Sequence, residues 1–498
     1  MEIQFRQHPL PHLKEAVYQL QTQEQTQEVR LPEALPDIGR VLGCWGQVIV
    51  RGKEWRGNGM NVSGGVMAWV LYAPEDGSQP ESVECWIPFQ MKWDFPQTER
   101  DGFILVEPVL RAVDGRSTSA RKLMVRACVG AVGQALEPAE AQISVPEEMD
   151  EDIQLLRQVY PMELPVESGE KLFDLDEELS LPDDMEVPEK LLHYAMTPKI
   201  VEQKVMAGRL VFRGNCGLEV LYRSKDGNIC CWNTEVPFSQ YTQLDRDVSN
   251  AVDSCIMPAV TALDMEIDEQ NRWKLRCSMA AQYVIFDRIL TELTEDAYSN
   301  QRPVTLQTQQ LKLPMRLDNT RQDFAVSASL ACHASRVLDV CCMKENPISR
   351  QNGDVTQVTV PVAFQVLYLD EEGTVQSGVL RGEESCQLPS DAENRLQIRC
   401  SFSQPEATVI PEGITVSCQC QMELAVFRDS DMTMVTGLQL GEKISPDPDR
   451  PSLILKPMAG ESLWEMAKSC GSTVDAIRDA NRLSGEPEKG QMLLIPVP

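Results

Sequence analysis

The sequence predicts a mainly β protein, in which three repeated antiparallel domains, each a β-sandwich or barrel-like unit, precede a small module of strand, helix, helix and strand. Three observations lead to this class. A Val-Leu-Tyr word followed by an acidic residue and a glycine occurs three times, and several segments alternate apolar and polar residues as half-buried strands do. No long amphipathic helix interrupts these segments, and helical patterning is confined to the C-terminal end.

The repeated word marks a strand that enters a tight turn. Its copies lie 150 and 146 residues apart. They are Val70-Leu71-Tyr72, Val220-Leu221-Tyr222 and Val366-Leu367-Tyr368, followed by Asp76-Gly77, Asp226-Gly227 and Glu372-Gly373. An acidic residue before glycine is a common hairpin turn, so we expect a hairpin with the next strand, which contains Trp86 or Trp232. The repeated tyrosine is expected in the core or at a sheet edge.

Alternating segments add one further strand to each copy. They are Arg121 to Val132, Trp273 to Ile285 and Gly413 to Val426. In the last of these, Cys418 and Cys420 are two residues apart, which places both on one face of the strand as small apolar residues. We therefore divide the chain into repeats at 1–145, 146–295 and 296–444, followed by a tether and a terminal module at 445–498.

The region between the first two copies is acidic. From Val145 to Glu189, acidic residues are in large excess, which predicts a solvated linker with a short helix near Ile153 to Val159. A second short tether is predicted at Ser445 to Arg450, where Pro446 and Pro448 lie close together.

The Leu-Pro words upstream indicate an insertion in the third copy. Leu31-Pro32 and Leu181-Pro182 each precede their Val-Leu-Tyr word by 39 residues, whereas Leu313-Pro314 precedes its own by 53. The difference predicts about 14 additional residues, around Lys344 to Asp354.

Composition excludes some partners. The formal net charge is -29, and Lys and Arg supply most of the affinity for phosphate backbones, so we expect no nucleic-acid partner. Anionic membrane surfaces are disfavoured for the same reason. No run of 18 apolar residues occurs, so no membrane insertion is expected, and the N-terminus lacks an apolar signal region. We expect a cytoplasmic protein whose 16 scattered cysteines are reduced thiols.

No catalytic, cofactor or metal site is predicted. The histidines, His8, His12, His193 and His333, lie in no metal-ligand spacing and near no nucleophile motif. Phosphate-binding and dinucleotide-binding glycine motifs do not occur either. We expect a protein that is not an enzyme.

The C-terminal module begins with a predicted strand at Leu453-Ile454-Leu455. A first helix starts at Ser462, with Glu465 completing a capping box. Its apolar stripe consists of Leu463, Met466, Ala467 and Cys470, and Gly471 ends it. Ser472 or Thr473 caps a second helix, which has Val474 and Ile477 inside and ends at Asn481. Trp464 lies about 100° from the stripe, so it is either a partly exposed contact or a packing edge.

This order, with the words GESLW, ANRLSG and KGQMLLIP, resembles the LysM module. LysM modules bind N-acetylglucosamine-containing glycans in a groove between the loop before the first helix and the loop after the second. The resemblance implies a groove lined by Gly460, Glu461, Ser462 and Leu463 on one side and by Asn481, Arg482, Leu483 and Ser484 on the other. Leu463 is also a candidate for the core, and Ser462 is first of all a helix cap.

Three β-rich repeats with one terminal LysM-like module resemble the SipL-like family of clostridial spore morphogenetic proteins, whose repeated unit is the SPOCS domain. The resemblance implies a non-enzymatic adaptor in the mother cell that tethers the basal spore-coat layer to the forespore surface. It also implies that the LysM module docks a spore-coat morphogenetic ATPase, among other coat proteins. We expect such docking through Leu463, Trp464, Ile477 and the loop from Asn481 to Ser484. The alternative is a glycan-binding protein that recognises peptidoglycan or N-acetylglucosamine oligomers through the same groove.

Overall fold

Paired antiparallel sheets recur three times along the chain and make up most of the molecule. The computed structural model describes residues 2–147, 149–246, 248, 253–389, 391–445 and 451–497. Strands take up 74% of the described residues and helices 3%, which confirms the mainly β class. We call residues 6–145, 153–299 and 304–440 the first, second and third strand sets.

The first strand set consists of two three-stranded sheets. After the N-terminal strand β1 (Glu2–Gln4), its strands are β2 (Arg6–Arg30), β3 (Ile38–Arg56), β4 (Gly59–Pro74), β5 (Glu81–Asp94), β6 (Phe103–Ser119) and β7 (Lys122–Val145). One sheet has the order β2-β7-β6 and the other the order β3-β4-β5, and all pairs are antiparallel. The first and last strands of the set therefore pair with each other.

The second strand set repeats this topology. Its strands are β8 (Ile153–Leu179), β9 (Pro188–Met206), β10 (Arg209–Ser224), β11 (Ile229–Gln243), β12 (Asp253–Ile267) and β13 (Trp273–Ser299). The sheets have the orders β12-β13-β8 and β11-β10-β9. Here too the first strand, β8, pairs with the last, β13.

The third strand set follows the same plan with interrupted strands. It contains β14 (Val304–Leu311), β15 (Pro314–Ala331), β16 (Ala334–Lys344), β17 (Ile348–Asn352), β18 (Val355–Asp370), β19 (Val375–Pro389), β20 (Arg395–Phe402), β21 (Glu406–Ile410), β22 (Gly413–Asp429) and β23 (Met432–Leu440). β18 pairs with β16, β17 and β19, and β22 pairs with β15, β20 and β21. β23 lies between β14 and β1, which joins the N-terminal strand to the last strand of the third set.

The terminal module has the predicted order of elements. It comprises β24 (Leu453–Pro457), α1 (Leu463–Cys470), α2 (Val474–Asn481) and β25 (Met492–Pro496), with β24 and β25 antiparallel. The predicted tether from Ser445 to Arg450 lies, from residue 446 onward, outside the described residues.

The repeated words form the predicted hairpins. The turn glycines Gly77, Gly227 and Gly373 have φ of 74°, 87° and 77°, a conformation that glycine adopts without a steric penalty. The repeated tyrosine is buried in all three sets, as expected. Tyr72 and Tyr222 each donate a hydroxyl hydrogen bond to a backbone carbonyl 36 residues earlier, at 3.0 Å.

A β-bulge recurs beside each repeated word. Where β4, β10 and β18 pass from the leucine to the tyrosine of the word, the strand beside them carries one extra residue. The extra residues are Leu42, Leu192 and Leu338. A bulge re-aims its extra side chain, and these leucines meet in one cluster that draws on all three sets. We call it the central cluster; its buried members are Leu42, Trp45, Leu71, Leu192, Leu221, Ile229 and Leu367.

The three sets contact one another in a cycle around the central cluster. β5 of the first set packs on β9 of the second, β11 of the second on β16 of the third, and β19 of the third on β3 of the first. Hydrogen bonds follow the same cycle: Ser82 to the Leu192 carbonyl at 2.6 Å, the Cys231 thiol to Asp339 at 3.2 Å, and Arg40 to the Val375 carbonyl at 2.7 Å. The strand sets therefore form one closed ring.

The acidic stretch after the first set is a strand, so the prediction of a helix near Ile153 to Val159 within a solvated linker was wrong. β8 covers residues 153–179 and pairs along its length with β13. In its last part, the exposed Asp174 and Asp176 alternate with the buried Phe173 and Leu175. A high count of acidic residues concealed an ordinary half-buried strand.

The predicted insertion around Lys344 to Asp354 was also wrong. β16 and β17 together span residues 334–352, the length of the corresponding strands β3 and β9, which have 19 residues each. Leu31-Pro32 and Leu181-Pro182 lie in the loops that follow β2 and β8, whereas Leu313-Pro314 lies at the start of β15. The third Leu-Pro word is therefore not equivalent to the other two.

Candidate functional site

The first helix of the terminal module is defined by its caps. Ser462 accepts a hydrogen bond from the backbone of Glu465, whose side chain accepts in turn from the backbone of Ser462 at 2.8 Å. This is the predicted capping box, which satisfies backbone donors at the start of the helix. Gly471 ends α1 in the left-handed conformation, with φ of 67°. The interior side of the helix packs into the module's own hydrophobic cluster.

The second helix is tied to the sheet by its last residue. Thr473 caps α2 by accepting from the backbone of Ala476 at 3.1 Å. The Asn481 amide donates to the carbonyls of Ile477 and Leu494, at 2.8 and 2.6 Å, and its oxygen accepts from the Leu494 backbone N–H at 2.8 Å. Asn481 is therefore a structural clamp between α2 and β25.

The predicted groove residues differ widely in exposure. Leu463 and Ile477 are 2% and 0% exposed, so both belong to the core and present no surface to a partner. Glu461, Trp464, Asn481 and Leu483 are partly buried, and Gly460, Ser462, Arg482 and Ser484 are exposed. The structure brings Leu463, Trp464, Ile477 and Leu483 into one cluster. Only the exposed members of both loops can form the lips of a groove.

Trp464 is engaged within the chain. Its indole N–H donates to Asp296 at 2.7 Å, and its ring meets the Tyr298 ring edge-on, with centroids 4.8 Å apart. Lys468, one turn further along α1, bonds both oxygens of Asp296 at 2.7 and 2.8 Å. Of the two roles left open for Trp464, the structure thus shows packing. The outer side of α1 rests on the end of β13.

Tyr298 is the residue that sequence reasoning missed. It is 5% exposed and belongs to the hydrophobic cluster of the terminal module, although it lies in the second strand set. Its hydroxyl donates to the Ser472 carbonyl at 2.9 Å across 174 residues of chain. Burial, with Asp296 and Asp475 nearby, raises the pKa of Tyr298 to about 12, so it remains a donor at neutral pH. No local sequence pattern predicts a contact between residues so far apart in the chain.

Charge at the groove is partly neutralised. Glu461 lies 2.9 Å from the Lys456 ammonium, and this hydrogen bond raises the pKa of Lys456. Arg478 likewise pairs with Glu486 at 3.0 Å. Arg482 is exposed and ends α2 with φ of 56°. It is the exposed cation on the predicted groove.

The described residues contain no cluster of three or more His, Cys, Asp or Glu side chains arranged to hold a metal ion. In the same residues, no helix is both long enough and apolar enough to span a membrane.

Comparison with known proteins gives a family match for one part of the chain. Residues 188–268 match the family model described as SipL, SPOCS domain. This match supports a SipL-like sporulation protein and suggests a sporulation-related role. No curated protein and no solved structure matches the chain. The matched stretch runs from β9 to the end of β12. It includes the second Val-Leu-Tyr word, the bulged Leu192, and the strands β9 and β11, through which the second set contacts the first and third sets.

Proposed function

We propose that this chain is a non-enzymatic adaptor of spore-coat assembly, which tethers the basal coat layer to the forespore surface from the mother-cell cytoplasm. The match of residues 188–268 to the SipL, SPOCS domain carries the proposal, because it links the chain to sporulation. On this proposal, residues 1–145, 146–295 and 296–444 are three SPOCS-like repeats, and 445–498 is a LysM-like module that docks a coat morphogenetic ATPase.

The architecture of the three strand sets supports a scaffold. Two side chains of types that often act in catalysis, His193 and Asp339, are packed at the centre of the ring. His193 is buried between Trp45 and Trp69, with centroids 5.4 and 5.0 Å away, and burial lowers its pKa to about 3. Asp339 is tied to the Trp45 indole at 3.0 Å and to the Cys231 thiol. His193 and Asp339 therefore help to hold the three strand sets together.

The contacts between the terminal module and the second strand set support a docking role. The contacts of Trp464, Lys468 and Tyr298 fix α1 on β13, so the terminal module is presented in one orientation. A fixed module loses less orientational freedom when a partner binds than a freely tethered one.

A fluorescent fusion of the full chain in sporulating cells tests the proposal. We expect fluorescence that outlines the forespore, and a version that lacks residues 451–498 should retain less coat-layer protein there. Purified coat morphogenetic ATPase should bind the full chain. Diffuse fluorescence throughout sporulation, with normal coat attachment in cells without the protein, would contradict the adaptor role.

Glycan binding is the second candidate, and the exposed groove lips Ser462, Arg482 and Ser484 favour it. Calorimetry of the full chain with N-acetylglucosamine oligomers tests it. Arg482→Glu is the appropriate variant, because Asn481→Ala would remove three structural hydrogen bonds and so weaken the module itself. Micromolar binding that Arg482→Glu abolishes would favour the glycan reading.

A further inference from the structure

The sheet of the terminal module is apolar on both faces but covered on only one. Leu455 lies opposite Leu494, and Pro457 lies opposite Met492, so these side chains share one face with Leu453. The alternate residues of β25, Leu493 and Ile495, are fully buried on the other face. On the outer face, by contrast, the exposed fractions are 52% for Leu453, 61% for Leu455, 50% for Met492 and 37% for Leu494.

The two edges of this sheet also differ. On the β25 side, the Asn481 side chain bonds both the N–H and the C=O of Leu494, as a third strand would. On the β24 side, no strand pairs with the sheet among the described residues. Only the β24 edge is therefore open to extension.

The hydrogen-bond register shows which groups face this open edge. At the ends of the ladder, Met458 N–H donates to the Gln491 carbonyl and Val497 N–H donates to the Ser452 carbonyl, both at 2.9 Å. Even-numbered residues of β24 thus face β25, and the odd-numbered Leu453 and Leu455 direct their N–H and C=O groups outward. An open edge of this kind is a template for strand addition.

We propose that the outer edge of β24 accepts an extended strand from a partner protein, apolar at alternate positions and flanked by Lys or Arg. Backbone hydrogen bonds to Leu453 and Leu455 would provide the register. Apolar side chains at alternate positions of the added strand would pack beside the exposed Leu453 and Leu455. This inference rests on the proposed function in one respect, namely that the terminal module docks a partner.

The size of the patch argues against a second copy of this chain as the occupant. Four partly exposed side chains amount to a few hundred Å² per module, and a stable dimer buries roughly 1,200 Å² or more in total. Two chains that each carry a formal charge of -29 would also repel each other.

Charge favours a basic strand. The chain carries a formal charge of -29, so it attracts a segment with Lys or Arg at its ends more than an acidic one.

A labelled synthetic peptide tests the inference on the full chain. The probe is a nine-residue peptide of alternating valine and threonine with two lysines at each end, and its binding is followed by fluorescence anisotropy. Leu455→Pro removes an outward N–H and leaves the bonds between β24 and β25 in place, so we expect binding about tenfold weaker or worse. Hydrogen exchange at the Leu453 and Leu455 amides should slow when the peptide binds.

Lys489→Pro is the matched control, because it places proline in the exposed turn from Glu488 to Gln491 of the same module and not on the outer edge of β24; it should leave binding unchanged. Thermal unfolding confirms that both variants fold. Absence of peptide binding, equal weakening by both prolines, or protection of amides elsewhere would overturn the inference. Binding of the coat ATPase and localisation at the forespore test the proposed function separately, so the two can fail independently.

Discussion

Tyr298→Phe directly tests the contact between the terminal module and the second strand set. The substitution keeps the ring that packs in the module's cluster and removes only the hydroxyl that donates to the Ser472 carbonyl at 2.9 Å. A buried hydrogen bond contributes about 0.5–1.5 kcal/mol net, and a buried carbonyl that loses its donor costs about 1–3 kcal/mol. The free energy that holds the terminal module on the second strand set should therefore fall by about 1–3 kcal/mol.

Native-state hydrogen exchange measures this quantity directly. Amides of α1 should exchange about fivefold to a hundredfold faster in the variant, because 1.4 kcal/mol corresponds to a factor of ten. The control is Tyr241→Phe, since Tyr241 is 58% exposed and should change stability by no more than about 0.5 kcal/mol. Unchanged exchange across α1 in Tyr298→Phe would show that the Tyr298 hydroxyl does not help to hold the module on the second strand set.

Further predictions concern the centre of the ring. Between pH 6.5 and about 3, His193 binds a proton in the unfolded state but not in the folded state. It therefore lowers the free energy of unfolding by about 1.4 kcal/mol for each pH unit of acidification. Urea unfolding of His193→Gln at pH 7, 6 and 5 should lack this slope. Glu219 acts in the opposite direction, because burial raises its pKa from 4.5 to about 8. The free energy of unfolding therefore falls as the pH rises through that range. Between pH 5 and 8, the stability of Glu219→Gln should depend less on pH than that of the unmodified protein. Trp45→Phe removes the donor to buried Asp339 and should lower the unfolding free energy by about 2–4 kcal/mol in equilibrium denaturation.

Local signals predicted local structure well. The Val-Leu-Tyr hairpins, the buried tyrosines and both helices of the terminal module depend on turn glycines, caps and alternation within about ten residues, and all are present. The strand β8 was missed because its net acidity outweighed the alternation of Phe173 and Leu175 with aspartates. The alternation indicates a strand there, whereas the acidic composition of the stretch indicates a linker.

The candidate site was predicted less well, because exposure depends on what covers each face. Leu463 and Ile477 are helical residues on an apolar stripe, and burial is the ordinary outcome for such residues. The outer face of the sheet did carry a signal. Leu453-Ile454-Leu455 and the run from Met492 to Ile495 are apolar at consecutive positions, although two short helices can cover only one face of a two-stranded sheet. The seat on Asp296 and Tyr298, by contrast, depends on contacts across more than 160 residues, which no local pattern encodes.

The three strand sets share one topology, but their centre makes them non-interchangeable. The leucines of the Val-Leu-Tyr words pair with Gly43, His193 and Asp339 in the neighbouring strands, so these three residues occupy equivalent places. A side chain at Gly43 would come within 2.6 Å of the Trp45 ring. Glycine in the first set therefore makes room for the indole, histidine in the second stacks on it, and aspartate in the third accepts its N–H. The Trp45 side chain thus depends on a different residue from each of the three sets. If two sets were exchanged, the buried Asp339 carboxylate would lose its hydrogen-bond donor.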